Sequence, residues 1–541
     1  MSAAQTLPSV LEASAERFAD RTAIVDGDTR LTFAELADLV AEAQRGLMAS
    51  GIEKGDRVCV WSPNTFHWVV AALAAHAAGA SLVTLNTRYT GAEAFEIISR
   101  TRAKALFCPD VFLGTDYLEA LRKAPDAEGP SDGPVAGLPA LELVVRVPIE
   151  GGRGPEVGVI TWDELLRRSV AVGAEEAAER RAAVGPEDVA DIIFTSGTTG
   201  RPKGAMSAHR QTVSVAEAWA ECAEVTEDDV YLIIAPFFHT FGYKAGWVVC
   251  LLRGATIIPQ VTFDLDRVLE TIERERVTIL PGPPTIFQTM LAHPGRGERD
   301  LSSLRLAVTG SATVPVSLVE RMWDELDFKL VMTAYGLTEA VVVTMCRPGD
   351  DAETIATTAG RPTAGFEVRI ADSEGNEMPP GEDGEVQVRG PNVMLGYLDD
   401  EAATREAIEP DGWLHTGDVG RMDERGYLTI TDRLKDMITV GGFNVYPAEV
   451  ENAILALGGI VECAVVGMPD ERMGELPLAY IVAEPGHEHT EESLIAACRE
   501  RLANFKVPRR VLFVDELPHN AAGKVLKREL RERAAADAAA R

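Results

Sequence analysis

Between residues 231 and 336 the chain reads YLIIA (231–235), a helix-length run at 241–252, ATIIP (255–259), DLDRVLETIERER (264–276), VTILPG (277–282), PTIFQTMLA (284–292), LRLAVTG (304–310), VPVSLVERMWDEL (314–326) and KLVMTAYG (329–336). Short β-branched runs alternate with segments whose apolar residues recur three and four apart. Strands joined by helices of this length need crossover connections, so the pattern predicts a mostly parallel sheet covered on both faces.

The alternation extends upstream. LTFAELADLVAEAQRGL (31–47) followed by Gly51 predicts an amphipathic helix with a glycine stop, and Thr32 and Glu35 stand at capping-box spacing at its start. RVCVWSP (57–63) reads as a short apolar strand. Downstream of Thr358 the texture changes to glycine-punctuated strands, FEVRIADSEGNEMPPGEDGEVQVRG (366–390) and GYLTITDRLKDMITVGG (426–442). From about Asn444, helices at 448–457 and 490–502 mix with strands at 461–468, 478–484 and 510–517. The expected class is α/β: a large N-terminal domain (1–432) of parallel α/β sheets with a β-rich module at about 358–432, then a small α+β C-terminal domain (436–541).

Lys and Arg number 52 against 84 Asp and Glu, a net charge of −32, and 46% of residues are apolar. That apolar content excludes a disordered chain, and the length allows several cores of roughly 100–200 residues. Such an acidic surface repels nucleic-acid backbones and anionic membrane faces, so no nucleic-acid partner is expected. His76, His239 and Lys244 interrupt the longest apolar runs, so no membrane span is expected. The first residues lack a basic segment followed by an apolar one, and no signal peptide is expected. Seven cysteines without a CxxC pair argue for reduced thiols and a cytoplasmic location. Residues 501–541 carry a local +5, which calls for an anionic partner, although cations near a helix C-terminus explain part of it.

The segment DIIFTSGTTGRPKG (191–204) carries the clearest chemistry. An apolar strand runs into a loop with hydroxyls at Thr195, Ser196, Thr198 and Thr199, glycines at 197, 200 and 204, and Lys203. Glycines let backbone N–H groups approach phosphate oxygens, hydroxyls donate further bonds, and the lysine supplies positive charge. The spacing is not that of a Walker loop, because no Ser or Thr follows Lys203, which disfavours a P-loop kinase or motor ATPase.

TSGTTGRPKG (195–204), YGLTE (335–339), GWLHTGD (412–418), TDRLKD (431–436) and NAAGK (520–524) occur in the order and spacing of the adenylate-forming superfamily, which the chain resembles from about Leu7 to Leu530. That superfamily includes acyl-CoA synthetases, luciferases and peptide-synthetase adenylation domains. The resemblance implies an AMP-forming acid–thiol ligase that uses ATP, Mg²⁺ and coenzyme A. A carboxylate attacks the α-phosphorus, pyrophosphate leaves, and the acyl group passes from the adenylate to the thiol. The implied partners are therefore a small-molecule carboxylic acid, ATP and CoA, and a homodimer is left open.

The resemblance also assigns roles. Thr195, Ser196, Gly197, Thr198, Thr199, Gly200 and Lys203 hold phosphates, with Thr198 and Lys203 among the catalytic groups, and Glu339 is catalytic and the metal ligand. Gly310, Ser311 and Ala312 with Tyr335, Gly336 and Thr338 belong to the AMP site, Asp418 binds the ribose, and Arg433 lies near ribose or phosphate. Lys524 bridges the carboxylate and α-phosphate during adenylation. Lys435, within a hinge at 433–435, allows a mobile C-terminal cap to withdraw Lys524 and bring Gly441, Gly442 and Phe443 inward for CoA. Taken singly, Tyr335 also reads as a core aromatic, Asp418 as a turn aspartate and Lys524 as a solvated loop lysine.

PFFH (236–239) resembles the family's gate to the acyl site, with Phe238 and His239 at its mouth and Tyr243, Lys244, Gly246 and Val341 in its walls. A packed histidine is the alternative for His239. No aspartate occurs in 235–246 and no thiolation domain follows, so an amino-acid substrate is not expected. Lys244 is expected to snorkel, or else to reach a polar atom on a functionalised acid. WSPNTFHWVV (61–70), SAHRQ (207–211), FGYKAG (241–246), LPGPPTIFQ (280–288), TMCRPGDD (344–351) and NFKVPR (504–509) resemble actinobacterial ligases for the bicyclic propanoate left after steroid ring opening. The VVVTM stretch (341–345) departs from that subgroup. The alternatives to such an acid are a medium- or long-chain fatty acid, or the loading of a separate carrier protein.

Overall fold

The computed structural model describes residues 4–128, 133–149, 156–195, 202–310, 314–372, 374–382, 384–433, 438–445, 447–484, 486, 489–518, 525 and 527–539. The capping box at Thr32 forms: Glu35 N donates to Thr32 Oγ1 (3.2 Å) and Thr32 N donates to Glu35 Oε2 (2.8 Å), opening the helix Phe33–Ala49. The glycine stop follows at Gly51.

Two large sheets form the N-terminal part. In the first, Lys203–Ala208, Val189–Thr195, Ser81–Thr84, Arg57–Val60, Ala105–Pro109, Leu143–Val147 and Val159–Thr161 lie side by side, and every pair from Val189–Thr195 onward is parallel. The second carries Thr22–Asp26, Thr256–Pro259 and Val230–Ile233 in parallel. It continues through Ile279, bridged in parallel to Tyr231 and Leu306, into Leu306–Thr309 and Leu330–Leu337. The expected strand at 277–282 therefore pairs only at Ile279, wedged between two longer neighbours. The expected helix at 241–252 forms as 240–253 with a π-helical turn at Tyr243–Trp247.

The strands Glu367–Ala371, Gly384–Arg389, Leu414–Met422 and Leu428–Arg433 make an antiparallel sheet. Its core of Phe366, Ile370, Val386, Val388, Leu414 and Leu428 also takes in Ala205 and Ala340, which fixes it against the N-terminal sheets. The strand Ile438–Val440 already belongs to the last sheet, with Gly474–Ala483 beside it. The chain passes from one sheet to the next within 434–437, outside the described residues.

Polar groups are buried in the large core. The rings of His76 and His209 meet edge to face at 5.1 Å, and Leu7 N donates to His209 Nδ1 (3.3 Å), docking the first helix, Leu7–Arg17. Burial disfavours the imidazolium form, pushing His67 and His209 down from 6.5 to about 4 and His76 well below its ordinary value. A histidine held neutral contributes stability above its unfolded pKa and loses it as pH falls, because the unfolded chain takes up the proton first. Stability is therefore expected to drop between pH 6.5 and about 4, by about 1.4 kcal/mol per pH unit for each such imidazole. Urea midpoints measured from pH 7.5 to 4.5 check this; His209→Gln should flatten the slope, and an equally steep variant contradicts it.

Candidate active site

Thr195 and Lys203 are a register pair in antiparallel strands, and Thr195 Oγ1 donates to Lys203 O at 3.5 Å. The strand Val189–Thr195 also pairs in parallel with Ser81–Thr84, so Thr195 stands at the C-terminal edge of a parallel sheet, with Lys203 opposite it. Ligands of open α/β sheets bind at such edges. Ser196, Gly197, Thr198, Thr199 and Gly200 lie outside the described residues, as do Ser311, Ala312, Lys435 and Lys524.

Two tyrosines hold the candidate carboxylates. Tyr335 OH donates to Asp418 Oδ2 at 2.6 Å across 83 positions of sequence. Tyr397 OH donates to Glu339 Oε1 at 2.8 Å, while the Lys203 ammonium stands 5.0 Å from the centroid of the same ring. Lys203 and Glu339, both half-buried, thus share one aromatic platform. Tyr397 reaches it because Gly396–Tyr397 pairs antiparallel with Lys203–Ala208, at Ala205 and Met206, and Leu398 N donates to Gly204 O (2.8 Å). Sequence reasoning passed over Tyr397; its signal was the GY step after an apolar run at 393–395.

Gly310 follows the strand Leu306–Thr309, where an added Cβ would meet Ala334 O at 3.4 Å, and Tyr335 and Thr338 are half-buried. Gly336 is exposed on the hairpin between Leu330–Leu337 and Ala340–Met345, where a Cβ would sit 2.5 Å from Val342 N. No other residue fits there without moving the returning strand. Val342 itself has φ +58°, a left-handed conformation that β-branched residues rarely take. Residue 433 pairs in register with Asp418, so backbone geometry brings position 433 to the same place.

The gate segment 236–239 is held by residues that the sequence did not single out. Asn64 Nδ2 donates to Ala235 O (2.9 Å), Phe237 N donates to Asn64 Oδ1 (2.7 Å), and Thr84 Oγ1 donates to Phe238 O (2.7 Å). Phe238 is half-buried and His239 is open to solvent, yet surrounding protein still desolvates the ring and lowers the His239 pKa. The packed alternative for His239 does not hold. Val341 and Gly246 are buried, the latter against Ile233.

Tyr243 and Lys244 differ from expectation. Tyr243 is fully buried, stacked on Trp247 at 5.0 Å, with its hydroxyl 3.2 Å from His76 Nε2. Lys244 does not snorkel: it is 1% exposed, its ammonium lies 2.9 Å from Asp191 Oδ1 and donates to Ser207 Oγ at 2.8 Å. The π-helical turn carries it into the core, where a cation must find a counter-charge, so it is not offered to an acyl group.

In the last domain, Gly441 (φ +55°) and Gly442 (φ +83°) form the two-residue turn between Ile438–Val440 and Phe443–Val445, a conformation open to glycine in both places. The turn faces the large domain: a Cβ on Gly442 would lie 3.8 Å from the Pro283 ring, and the Arg88 guanidinium stands over Phe443 at 5.4 Å. The basic 501–541 segment is less available than its charge suggests. Lys527 pairs with Glu451 (2.7 Å), and Lys506 pairs with Glu449 and Glu93 (2.6 and 3.0 Å).

Among the described residues no cluster of three or more His, Cys, Asp or Glu forms a metal cage. One carboxylate, Glu339, sharing the Tyr397 ring with Lys203, does fit Mg²⁺, which keeps its waters and binds through one or two carboxylates plus nucleotide phosphates. No described helix is long and apolar enough to cross a membrane.

Residues 11–398 match the AMP-binding enzyme family and residues 449–524 match the AMP-binding enzyme C-terminal domain. The chain is 57% identical over 527 residues to a 3-[(3aS,4S,7aS)-7a-methyl-1,5-dioxo-octahydro-1H-inden-4-yl]propanoyl:CoA ligase of Rhodococcus jostii (strain RHA1), covering 97% of this chain and 98% of that one. Among solved structures, a double mutant of Bacillus subtilis o-succinylbenzoate CoA synthetase, bound with its product analogue OSB-NCoA, superposes with a TM-score of 0.81 at 28% identity, covering 97% and 98% of the two chains. ATP-bound MatB from Rhodopseudomonas palustris superposes with a TM-score of 0.66 at 30% identity, covering 98% and 99%. Matched over most of its length by one family and near its end by that family's companion domain, the chain belongs to the AMP-binding enzymes.

Proposed function

We propose that this enzyme joins a hydrophobic, ring-bearing carboxylic acid to coenzyme A in two half-reactions at one site, the acid being the bicyclic keto-propanoate named for the Rhodococcus relative. In the first, a carboxylate oxygen attacks the α-phosphorus of ATP, the bond to the β-phosphate breaks and pyrophosphate leaves. In the second, the CoA sulfur attacks the acyl carbon, the acyl–phosphate oxygen bond breaks, and AMP leaves as the thiol proton is lost. The observation that carries this reading is the shared Tyr397 platform, which sets Lys203 and Glu339 together at one ring.

Lys203, with the hydroxyls and N–H groups of 195–200, binds the β and γ phosphates, and Tyr335 orients Asp418 toward the ribose hydroxyls. Glu339 holds Mg²⁺, which when bound neutralises phosphate charge. Lys524 approaches the α-phosphate in the first half-reaction, and Lys435 is the hinge about which the cap then turns. Gly441, Gly442 and Phe443 border the CoA thiol path, supported by their approach to Pro283 and Arg88. The approach of the Gly441–Gly442 turn to Pro283 supports a cap orientation for thioester formation. At similar identity and coverage the likeness is greater to the chain holding a CoA product analogue than to the one holding ATP (0.81 against 0.66). The enzyme works in the cytoplasm, a location that its seven free thiols suit.

The test is a competitive panel with purified enzyme, ATP, Mg²⁺ and CoA, pairing the bicyclic keto-propanoate with straight-chain acids and reading AMP and the thioester mass. The bicyclic acid is expected to lead in kcat/KM by about tenfold or more, the scale that pocket fit supplies. A lead for straight-chain acids overturns the substrate reading. AMP formation without a CoA thioester overturns the CoA reading in favour of a carrier.

A further inference from the structure

Lys506 joins the two domains through an enclosed charge cluster. It is 3% exposed, and its ammonium donates to Glu449 Oε1 at 2.6 Å within its own domain and to Glu93 Oε1 at 3.0 Å in the large domain. The same cation lies 4.8 Å from the centroid of Tyr89. Beside it, Thr90 Oγ1 donates to Arg501 O at 3.3 Å. These contacts link the segment 501–506 to the start of the helix Gly91–Thr101.

The two carboxylates are held differently. Glu93 occupies the third position of its helix, where its other oxygen accepts from Thr90 N at 2.8 Å, so that helix orders it without help from the cap. Glu449 sits on the helix Pro447–Leu455 and travels with Lys506. Burial disfavours the ammonium, but Glu93 and Glu449 outweigh it and hold the lysine charged, with its pKa raised. If the cap turns away, Lys506 keeps Glu449 while Glu93 reverts to an ordinary helix-capping residue. One charge-assisted contact then separates the two cap positions, a small and reversible difference.

We infer that Lys506 is a positioning residue for the second half-reaction, clamping the cap over the large domain through Glu93 while the Gly441–Gly442 turn faces the cleft. This rests on the cap orientation given under the proposed function. Neither residue touches the reacting atoms; the pair acts by favouring one of two orientations. Lys506 thereby meets protein carboxylates rather than a CoA phosphate.

Glu93→Gln removes the charge across the cleft, keeps the Glu449 pair, and leaves a side chain that still caps Thr90. Two readouts separate the half-reactions: ATP–pyrophosphate exchange with the best acid of the panel, and thiolysis of that acid's supplied adenylate by CoA. Glu93→Gln is expected to lower thiolysis kcat/KM about tenfold with exchange unchanged, and Glu93→Lys to lower thiolysis further by like-charge repulsion, again sparing exchange. An equal loss of both half-reactions, or unchanged thiolysis in Glu93→Gln, overturns the clamp. If the unaltered enzyme makes no CoA thioester, the functional reading fails, a result distinct from a normal enzyme whose Glu93 variants behave like it.

Discussion

Replacing Lys524 with alanine is expected to cut acid-dependent pyrophosphate release by about 10²- to 10³-fold, while thiolysis of supplied acyl-adenylate by CoA stays within about twofold of the unaltered enzyme. As the carboxylate attacks, negative charge grows on the oxygens around a five-coordinate α-phosphorus. A cation placed where that charge appears stabilises the transition state more than the ground state. The thiolysis step expels AMP from an adenylate already made, so it does not need that cation. The measurement is a paired assay, radiolabelled pyrophosphate exchange against thioester formation from synthetic adenylate. Equal loss in both would remove Lys524 from its assigned role.

The second large effect concerns stability. Lys244→Met is expected to destabilise the N-terminal domain by about 3–5 kcal/mol, the usual result of leaving one partner of a buried ion pair unmatched. Asp191 is fully buried, and once the ammonium is gone it keeps the hydrogen bond from Thr212 Oγ1 (2.8 Å) but loses its ion-pair partner. Asp191 lies on the strand that ends at Thr195, so its relaxation also disturbs the base of the phosphate loop and raises KM for ATP. Lys244→Met combined with Asp191→Asn should recover most of the loss, because both charges then leave the core together. Urea melts of the two variants decide it: a single variant within about 1 kcal/mol of the parent would show that the pair is not structural.

The contrast between these two lysines shows what a sequence discloses. Lys203 sits in a local pattern of glycines and hydroxyls whose backbone freedom is itself the signal, and Lys524 was marked by the resemblance of NAAGK (520–524). Lys244 sits in an apolar helical run with no counter-charge nearby; its partner is 53 positions away and meets it only after a strand and a helix pack. Tyr397 escaped notice for the same reason, since its value lies in a pairing with Ala205 that brings one ring to both Lys203 and Glu339. At the expected acyl gate Phe238 is half-buried and His239 exposed, whereas Tyr243 packs among tryptophans.

By itself the sequence determined the alternation of strands and helices and the change to glycine-punctuated strands after Thr358, and it marked 195–204 as a glycine-rich segment suited to phosphates. Each is written in the spacing of neighbouring residues, because hydrophobic period and glycine content act over a few positions. Only the tertiary structure decided which charges pair, Lys244 with Asp191 and Lys506 with Glu93, and which tyrosines touch Asp418 and Glu339. A buried charge or hydroxyl must be matched by whatever the packed chain brings within about 3 Å, and that choice is made by burial, not by order along the chain.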